Sequence, residues 1–514
     1  MTSKSFSKRF LSFSNETVPF NYTTKIKGIF LFLLLSVSFK TEAVQLENWR
    51  LPFFKFASDM EMITTSSPSA MFWDDIEGAG IFEKSLWPDS SLLYWNHWTL
   101  EPAVTSGLYS SAPEDQKSIW HMDLLNDIRY RNFFVRQVLN VDTRYQYDYY
   151  YPASKERGAQ GMIGEAYAQL NWKYGFFRLG RLKRNWGPFP DRSLILSSNP
   201  YAYDAFEWQI HSSIFEFRQL FSAFPYSRSY WDTDNGNPVQ RYLAAHSLNL
   251  MFGTWVTVGI TETMLFARER GFPDLQYINP FSFYTVNNTN QEGSGNLMLA
   301  FQWNIHPAIS DLSFRGQLMI DDIQVDKKIA TDNEPNHWGA DLGVYWRNLV
   351  PVNLPNLVKA EYIYRSQWLY TVTDDNGDNG ERYTYLSKSL GYPQNDGDRL
   401  SAGFQVAVKK YWAGQIEGFF SHQGIRNVKS RWNDSQPGNT QGLPADSAYT
   451  MEKTVGLSIG ALSYFKNYAS VNLKADLAWV RNKENIPADR YEFNPSVSAE
   501  ISLHFSNFRL LLPE

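Results

Sequence analysis

Apolar and polar side chains alternate along one short run after another from Phe133 to the end of the chain. Phe133, Val135, Leu139 and Val141 fall on one side of the first run, and Arg136, Asn140, Asp142 and Arg144 on the other. Side chains alternate across a strand, so such a run reads as a β-strand with one apolar and one polar face. Ala166, Leu170 and Trp172 oppose Glu165, Gln169 and Asn171, and Lys173-Tyr174-Gly175 turns the chain into Phe177, Leu179 and Arg181. The pattern returns at 297–305, 312–321, 341–347, 358–365, 471–479 and 497–505.

Alternation alone fits a soluble sandwich, with the apolar face inward, as well as a membrane barrel, with the apolar face outward. Three observations favour the barrel. With 18 Trp, 30 Tyr and 36 Phe, 16% of the chain is aromatic, which suits the girdles of a barrel at the membrane interfaces. The final alternating run ends on an aromatic, Phe505, although the tail 506–514 offers an alternative last strand ending at Leu512. The connections are short near 173–175 and long near 371–399 and 424–450, as expected of periplasmic turns and outer loops. At roughly 10 residues per crossing, the chain holds about 16 to 18 strands. The expected fold is therefore all-β, a large transmembrane antiparallel β-barrel over 117–514. An irregular segment over 44–116, a plug or a periplasmic extension, precedes it.

The first 43 residues read as an N-terminal extension and signal peptide. Lys25 and Lys27 precede an apolar run over 28–39, and Thr41-Glu42-Ala43 offers small residues for cleavage. The alternative is an uncleaved anchor, for which the run is short. The negative mean hydropathy, -0.40, excludes a chain made mostly of helical spans. A net charge of -5 argues against a nucleic-acid partner. The absence of cysteine removes disulfides, thiolate metal sites and Cys nucleophiles together.

One stretch, 180–208, follows a strand pattern and then abandons it. Trp186-Gly187-Pro188 and Phe189-Pro190-Asp191 are breaker chemistry, and an apolar run, Leu194-Ile195-Leu196, comes before a second turn signal at 197–200. Long irregular segments between strands are often functional. Arg181, Lys183, Arg184 and Arg192 alternate here with Trp186, Tyr201, Tyr203 and Trp208. Cations beside flat aromatics suit an anionic or sugar-like ligand. The other reading is a constriction loop whose charges keep a lumen wet.

The run Trp186-Gly187-Pro188, four residues, Ser193-Leu194-Ile195-Leu196-Ser197, then Asn199 and Asp204, resembles a signature of the Wzi family of outer-membrane capsule-assembly proteins. Arg241-Tyr242-Leu243-Ala244-Ala245-His246 and Leu318-Met319-Ile320-Asp321-Asp322 resemble further family blocks. The likeness covers about 161–324; Phe189 stands where the family usually has Gly. The resemblance implies an eighteen-stranded barrel with a small helical piece near the N-terminus. It also implies a second mouth loop containing Arg268 and Arg270 and followed by Asn279-Pro280.

The remaining motifs carry little chemistry. The acidic run 374–381 fails the calcium-loop spacing, since neither start places both Gly and Glu correctly. None of the eight histidines has zinc-ligand spacing. His246 and Ser247 are adjacent, so on a strand they face opposite ways. Gly456-Leu457-Ser458-Ile459-Gly460 spells a nucleophile elbow inside an alternating strand, where the elbow cannot form. Asp321-Asp322 reads as a pair of strand-end carboxylates facing water.

The expectation is a non-enzymatic outer-membrane barrel of the bacterial cell, without cofactor or metal, in contact with outer-membrane lipid and most simply a monomer. The resemblance implies that it binds a surface or capsular polysaccharide and assists its assembly or attachment. The expected glycan-contacting residues are Arg184, Trp186, Arg192, Tyr201, Tyr203, Arg268 and Arg270. A porin or sugar channel is the alternative. A lipid hydrolase is a third reading that lacks an assembled Ser-His pair.

Overall fold

In the computed structural model, residues 97–110, 116–155, 160–225, 239–268, 272–290, 295–307, 311–322, 336–373, 378–409, 412–432, 450–465, 469–504 and 508–511 are described. The leader, the segment up to residue 96, Phe505, the first half of the acidic run and Arg270 lie outside them.

Eighteen antiparallel strands form one closed sheet. They are β1 (His97–Ser110), β2 (Gln116–Tyr130), β3 (Phe133–Asp142), β4 (Gln160–Trp172), β5 (Gly175–Leu182) and β6 (Tyr203–His211). Then come β7 (Phe215–Phe224), β8 (Gln240–Phe252), β9 (Val256–Arg268), β10 (Asn296–Ile305), β11 (Leu312–Asp322) and β12 (His337–Arg347). The last are β13 (Asn356–Arg365), β14 (Gly397–Lys409), β15 (Trp412–Gln423), β16 (Glu452–Phe465), β17 (Ala469–Arg481) and β18 (Glu492–His504). Each strand pairs with the next in sequence, and β1 closes the ring by pairing Ala103–Ser110 with β18. A short continuation, Phe508–Leu511, pairs with His97–Leu100, so part of the tail is itself a strand, while Phe505 and Leu512 lie outside the described residues.

Which face is exposed decides between sandwich and barrel. On β12, Leu342 and Trp346 are 41% and 46% exposed, while Asp341 and Tyr345, each next to one of them, are 0% and 1%. On β11 the inward Ser313, Arg315 and Gln317 are buried. Apolar outside and polar inside is the pattern of a wall solvated by lipid. A closed ring leaves no backbone donors unpaired there.

The barrel starts earlier than its pattern suggests. β1 lies within the segment expected to be irregular. Its alternation is masked by Pro102 and by inward Ala103, Thr105 and Gly107, which carry little contrast. Pro102 pairs with Leu124 of β2, and a proline is seldom found inside a strand because it has no N–H to give the ladder.

The connections at 131–132, 173–174, 212–214 and 253–255 are tight and share one end of the barrel with His97 and Phe508–Leu511. The long connections 143–159, 183–202, 269–295, 366–396 and 424–451 share the other. Short-turn and long-loop ends correspond to the periplasmic and outer sides of such barrels.

Candidate functional site

The loop 183–202 turns into the barrel. Trp186 N–H donates to Leu196 O at 2.8 Å, joining the ends of a compact Ω-like turn. Inside the turn, Ser193 Oγ donates to Trp186 O (2.7 Å) and Asn185 Nδ2 to Phe189 O (2.7 Å). The wall reads this turn through Gln317 on β11, whose Oε1 accepts from Leu194 N–H (2.7 Å). Arg192 grips β12 and β13, donating to Asp341 (2.7 and 3.1 Å) and to Glu361 (3.2 Å), with its guanidinium 4.3 Å from the Phe189 ring.

A second loop, 366–396, locks onto the first. Ser197 N–H donates to Leu390 O (2.8 Å), Tyr370 Oη to Leu194 O (2.5 Å) and Tyr383 Oη to Ile195 O (2.8 Å). Arg241 of β8 holds the second loop, donating to Gly380 O (2.7 Å) and to Arg382 O. Leu194, Ile195, Leu196, Leu369, Tyr370 and Leu390 meet inward Leu243, Ala245, Leu265 and Met298 in one buried apolar cluster. The half of the lumen bounded by β6–β13 therefore holds a packed core. Asp321 belongs to it. Rather than facing water, this carboxylate is buried and accepts from Tyr370 N–H (2.9 Å), because the loop closes over the strand end.

Behind this plug lies a charge cluster. Glu207 on β6 is buried and faces Arg218 (2.5 Å), Arg184 (3.2 Å) and Arg178 (3.7 Å). Arg218 lies 4.9 Å from the Trp186 ring and Arg184 4.7 Å from that of Tyr203. Of the seven expected contact residues, Arg184, Trp186, Arg192 and Tyr203 are thus gathered inside the barrel, with the two guanidiniums turned to protein carboxylates and carbonyls. Arg268 is not brought to them. Residues 272–290 of this connection do not line the mouth; they pack on the outer wall, where Arg268 pairs with Asp274. The physical reason is that outward Tyr242, Met264 and Phe266 are themselves apolar and take the connection as their cover.

Tyr201 reaches the rim of the long-loop end, where sequence reasoning missed its neighbours. Five tyrosines stand among residues 145–151, and that density was the available signal. Asp142 caps the 3-10 turn Thr143–Gln146 by accepting from Arg144 N–H. Beyond it Tyr145 and Tyr151 stack at 5.0 Å, and Tyr149 stands 81% exposed. Lysines from three other segments lie over these rings: Lys117 over Tyr147 (4.7 Å), Lys429 over Tyr150 (4.3 Å) and Lys388 over Tyr201 (4.1 Å). Asp148 ties the patch together, accepting from Tyr201 Oη (2.5 Å), Lys388 Nζ (2.6 Å) and Tyr150 N–H (3.0 Å).

Burial opposes the charged form of Asp148. The Lys388 ammonium, the Tyr201 hydroxyl and the Tyr150 N–H outweigh it and hold the carboxyl below its ordinary value. A depressed carboxyl pKa contributes stability above the unfolded value of about 3.9 and loses it as pH falls through the folded value. Hydrogen exchange across 145–151 is therefore expected to stay slow from neutral pH to about 4 and to quicken only below it. Lys388→Met should move that onset to higher pH; an unchanged onset would show that the clasp contributes nothing.

Fold and site together define a membrane-spanning β-barrel of the outer-membrane type, with its lumen partly filled by its own loops and an aromatic-cationic patch at its long-loop end. Among solved structures it is similar to Wzi, an outer-membrane protein involved in group 1 capsule assembly in Escherichia coli and described as a carbohydrate-binding β-barrel. The TM-score is 0.56 at 14% identity, covering 90% of this chain and 99% of that one. It is also similar to OprD of Pseudomonas aeruginosa (TM-score 0.46, 6% identity, 81% and 96% covered) and OccAB3 of Acinetobacter baumannii (0.46, 8%, 80% and 99%). No protein-family model and no curated protein sequence matches the chain. At 14% identity the likeness to Wzi bears on the fold alone.

Proposed function

We propose that the protein is a bacterial outer-membrane barrel of the Wzi type that binds surface polysaccharide and helps assemble or attach a capsule or related exopolysaccharide, without catalysing a reaction. The observation that carries this reading is the tyrosine-lysine patch at the mouth of a barrel whose lumen is packed with its own loops. Tyrosine faces stack on sugar rings, and lysines and hydroxyls bind uronate carboxylates and sugar hydroxyls. A repeating polymer multiplies weak contacts, so each need not be strong. The exposed Tyr147 and Tyr149 make the contact in this reading, and buried Tyr201 holds the patch in place through Asp148 and Lys388. Arg184, Trp186, Arg192 and Tyr203 hold the frame behind it. The carbohydrate described for Wzi is consistent with such a ligand.

Co-sedimentation of an acidic surface polysaccharide with proteoliposomes tests it. Tyr149→Ala is expected to weaken retention about fivefold, from the loss of roughly 1 kcal/mol of stacking, and Tyr149→Ala with Lys429→Ala to weaken it further. Retention indifferent to both would remove the patch from the account.

One observation favours a channel as a second reading. A cavity of about 370 Å3 remains between the plug and β13–β17, lined by Arg192, Lys359, Glu361, Arg399, Glu417 and Lys474 among others. Its charges are largely matched, with Lys359 between Glu361 (3.4 Å) and Glu417 (3.8 Å) and Arg399 on Glu417 (3.1 Å). If ions cross here, Lys359→Gln shifts the cation-to-anion permeability ratio; in the plugged account it changes nothing.

A further inference from the structure

The connection between β9 and β10 carries two short helices, α1 (Leu275–Ile278) and α2 (Tyr284–Asn290). From 272 to 290 it contains one charged residue, Asp274, which is paired with Arg268. Its inner face docks on the outside of the barrel. Tyr277 and Tyr284 are fully buried against outward Tyr242, Ala244, Met264 and Phe266. Gln219 on β7 donates to Ile278 O (2.7 Å). Outward Glu262 accepts from Tyr284 N–H (3.0 Å) and Thr285 Oγ1 (2.6 Å) and lies 2.8 Å from His246 Nε2.

The outer face of the same segment is exposed. Phe272 and Phe281 are 89% and 88% exposed, and Leu275, Phe283 and Val286 are more than half exposed. Depth indicates what meets them. Phe252 and Trp255, both exposed, mark the short-turn edge of the wall here. About ten residues of tilted strand cross the hydrocarbon. Counted back along β8 from Phe252, that span ends near Tyr242 and includes His246. The His246–Glu262 pair thus faces outward at hydrocarbon depth, where a bare carboxylate is disfavoured. The hairpin covers the pair and presents phenylalanines instead. It sits directly above Leu248, Leu250 and Val258 of the exposed apolar wall, so its outer face continues that lipid-facing surface.

We propose that the segment 272–290 is embedded in the leaflet on the long-loop side, its exposed phenylalanines in contact with lipid acyl chains. It replaces lipid over one polar spot of the wall and widens the barrel's footprint in that leaflet. The inference is independent of the polysaccharide reading, and neither outcome below bears on that reading.

Because the chain has no cysteine, single cysteines can be labelled without altering the background. Nitroxides are placed at Phe281→Cys, Phe283→Cys and Val286→Cys in vesicles of phosphatidylethanolamine and phosphatidylglycerol. Leu250→Cys serves as the wall reference and Lys155→Cys as the aqueous one. Power saturation then compares collision with oxygen and with a water-soluble nickel chelate. The expected result is that the hairpin labels favour oxygen over nickel, as Leu250→Cys does. Nickel collision at the level of Lys155→Cys for Phe281→Cys and Phe283→Cys would overturn the proposal. Each exposed position is read separately, so one variant that misassembles leaves the others decisive.

Discussion

Replacing residues 187–199 with a short glycine-serine link is expected to raise the single-channel conductance of the barrel several-fold. A ring of eighteen strands is wide enough to leave an aqueous channel unless something fills it. Here the filling is specific. The turn closed by Trp186 and Leu196 supplies the apolar residues Leu194, Ile195 and Leu196, on which Tyr370, Tyr383 and Leu390 of the second loop rest. Without the turn, the second loop loses its hydrogen-bond acceptors at Leu194 and Ile195, and inward Gln317 and Asp341 become water-accessible. The wall itself is closed by backbone pairing that does not involve this loop, so the ring is expected to persist. Planar-bilayer recording reads the change directly. Conductance equal to that of the intact chain would mean that the loop does not close the lumen.

Glu207→Gln is expected to be the most destabilising single substitution in the barrel interior, lowering stability by about 3–5 kcal/mol. The substitution keeps the volume of the side chain and removes a carboxylate that the buried Arg218, Arg184 and Arg178 share. Three guanidiniums then face one another in a water-poor interior, where uncompensated charge is expensive. Denaturant unfolding in lipid gives the number. The double variant Glu207→Gln with Arg218→Gln should lose less than the sum of the two single losses, because it removes one of the stranded charges along with the acid. Strict additivity would show that the cluster does not act as a unit.

The wall was legible in the sequence because a half-buried strand repeats every two residues. Asp341 and Glu361 sort from Leu342 and Ala360 on inspection, and exposure follows that sorting. His246 and Ser247 do face opposite ways, one toward Glu262 outside and the other toward Thr261 inside. What the period could not convey is what covers each face. Between Arg241 and His246 both faces of β8 are buried, the inner one by the plug and the outer one by the hairpin. A barrel strand apolar on both faces signals cover on both, and that was the readable clue to each element. The blocks that carried the family resemblance are the plug's fasteners: Trp186 to Ser197 forms the turn, Arg241 holds Gly380 and Arg382, and Asp321 holds Tyr370. Cations and aromatics close together in sequence were read as ligand chemistry, but around Glu207 they satisfy one another. The patch at 145–151 escaped notice because its lysines, Lys117, Lys388 and Lys429, come from distant segments that only the fold brings together.

The most direct test of a plugged, polysaccharide-binding barrel is single-channel recording of the intact chain in a planar bilayer, with and without surface polysaccharide from its own host. The account predicts an essentially silent barrel that nevertheless retains the polysaccharide. Steady, porin-sized conductance with no polysaccharide retained would contradict it and assign the cavity beside β13–β17 to transport.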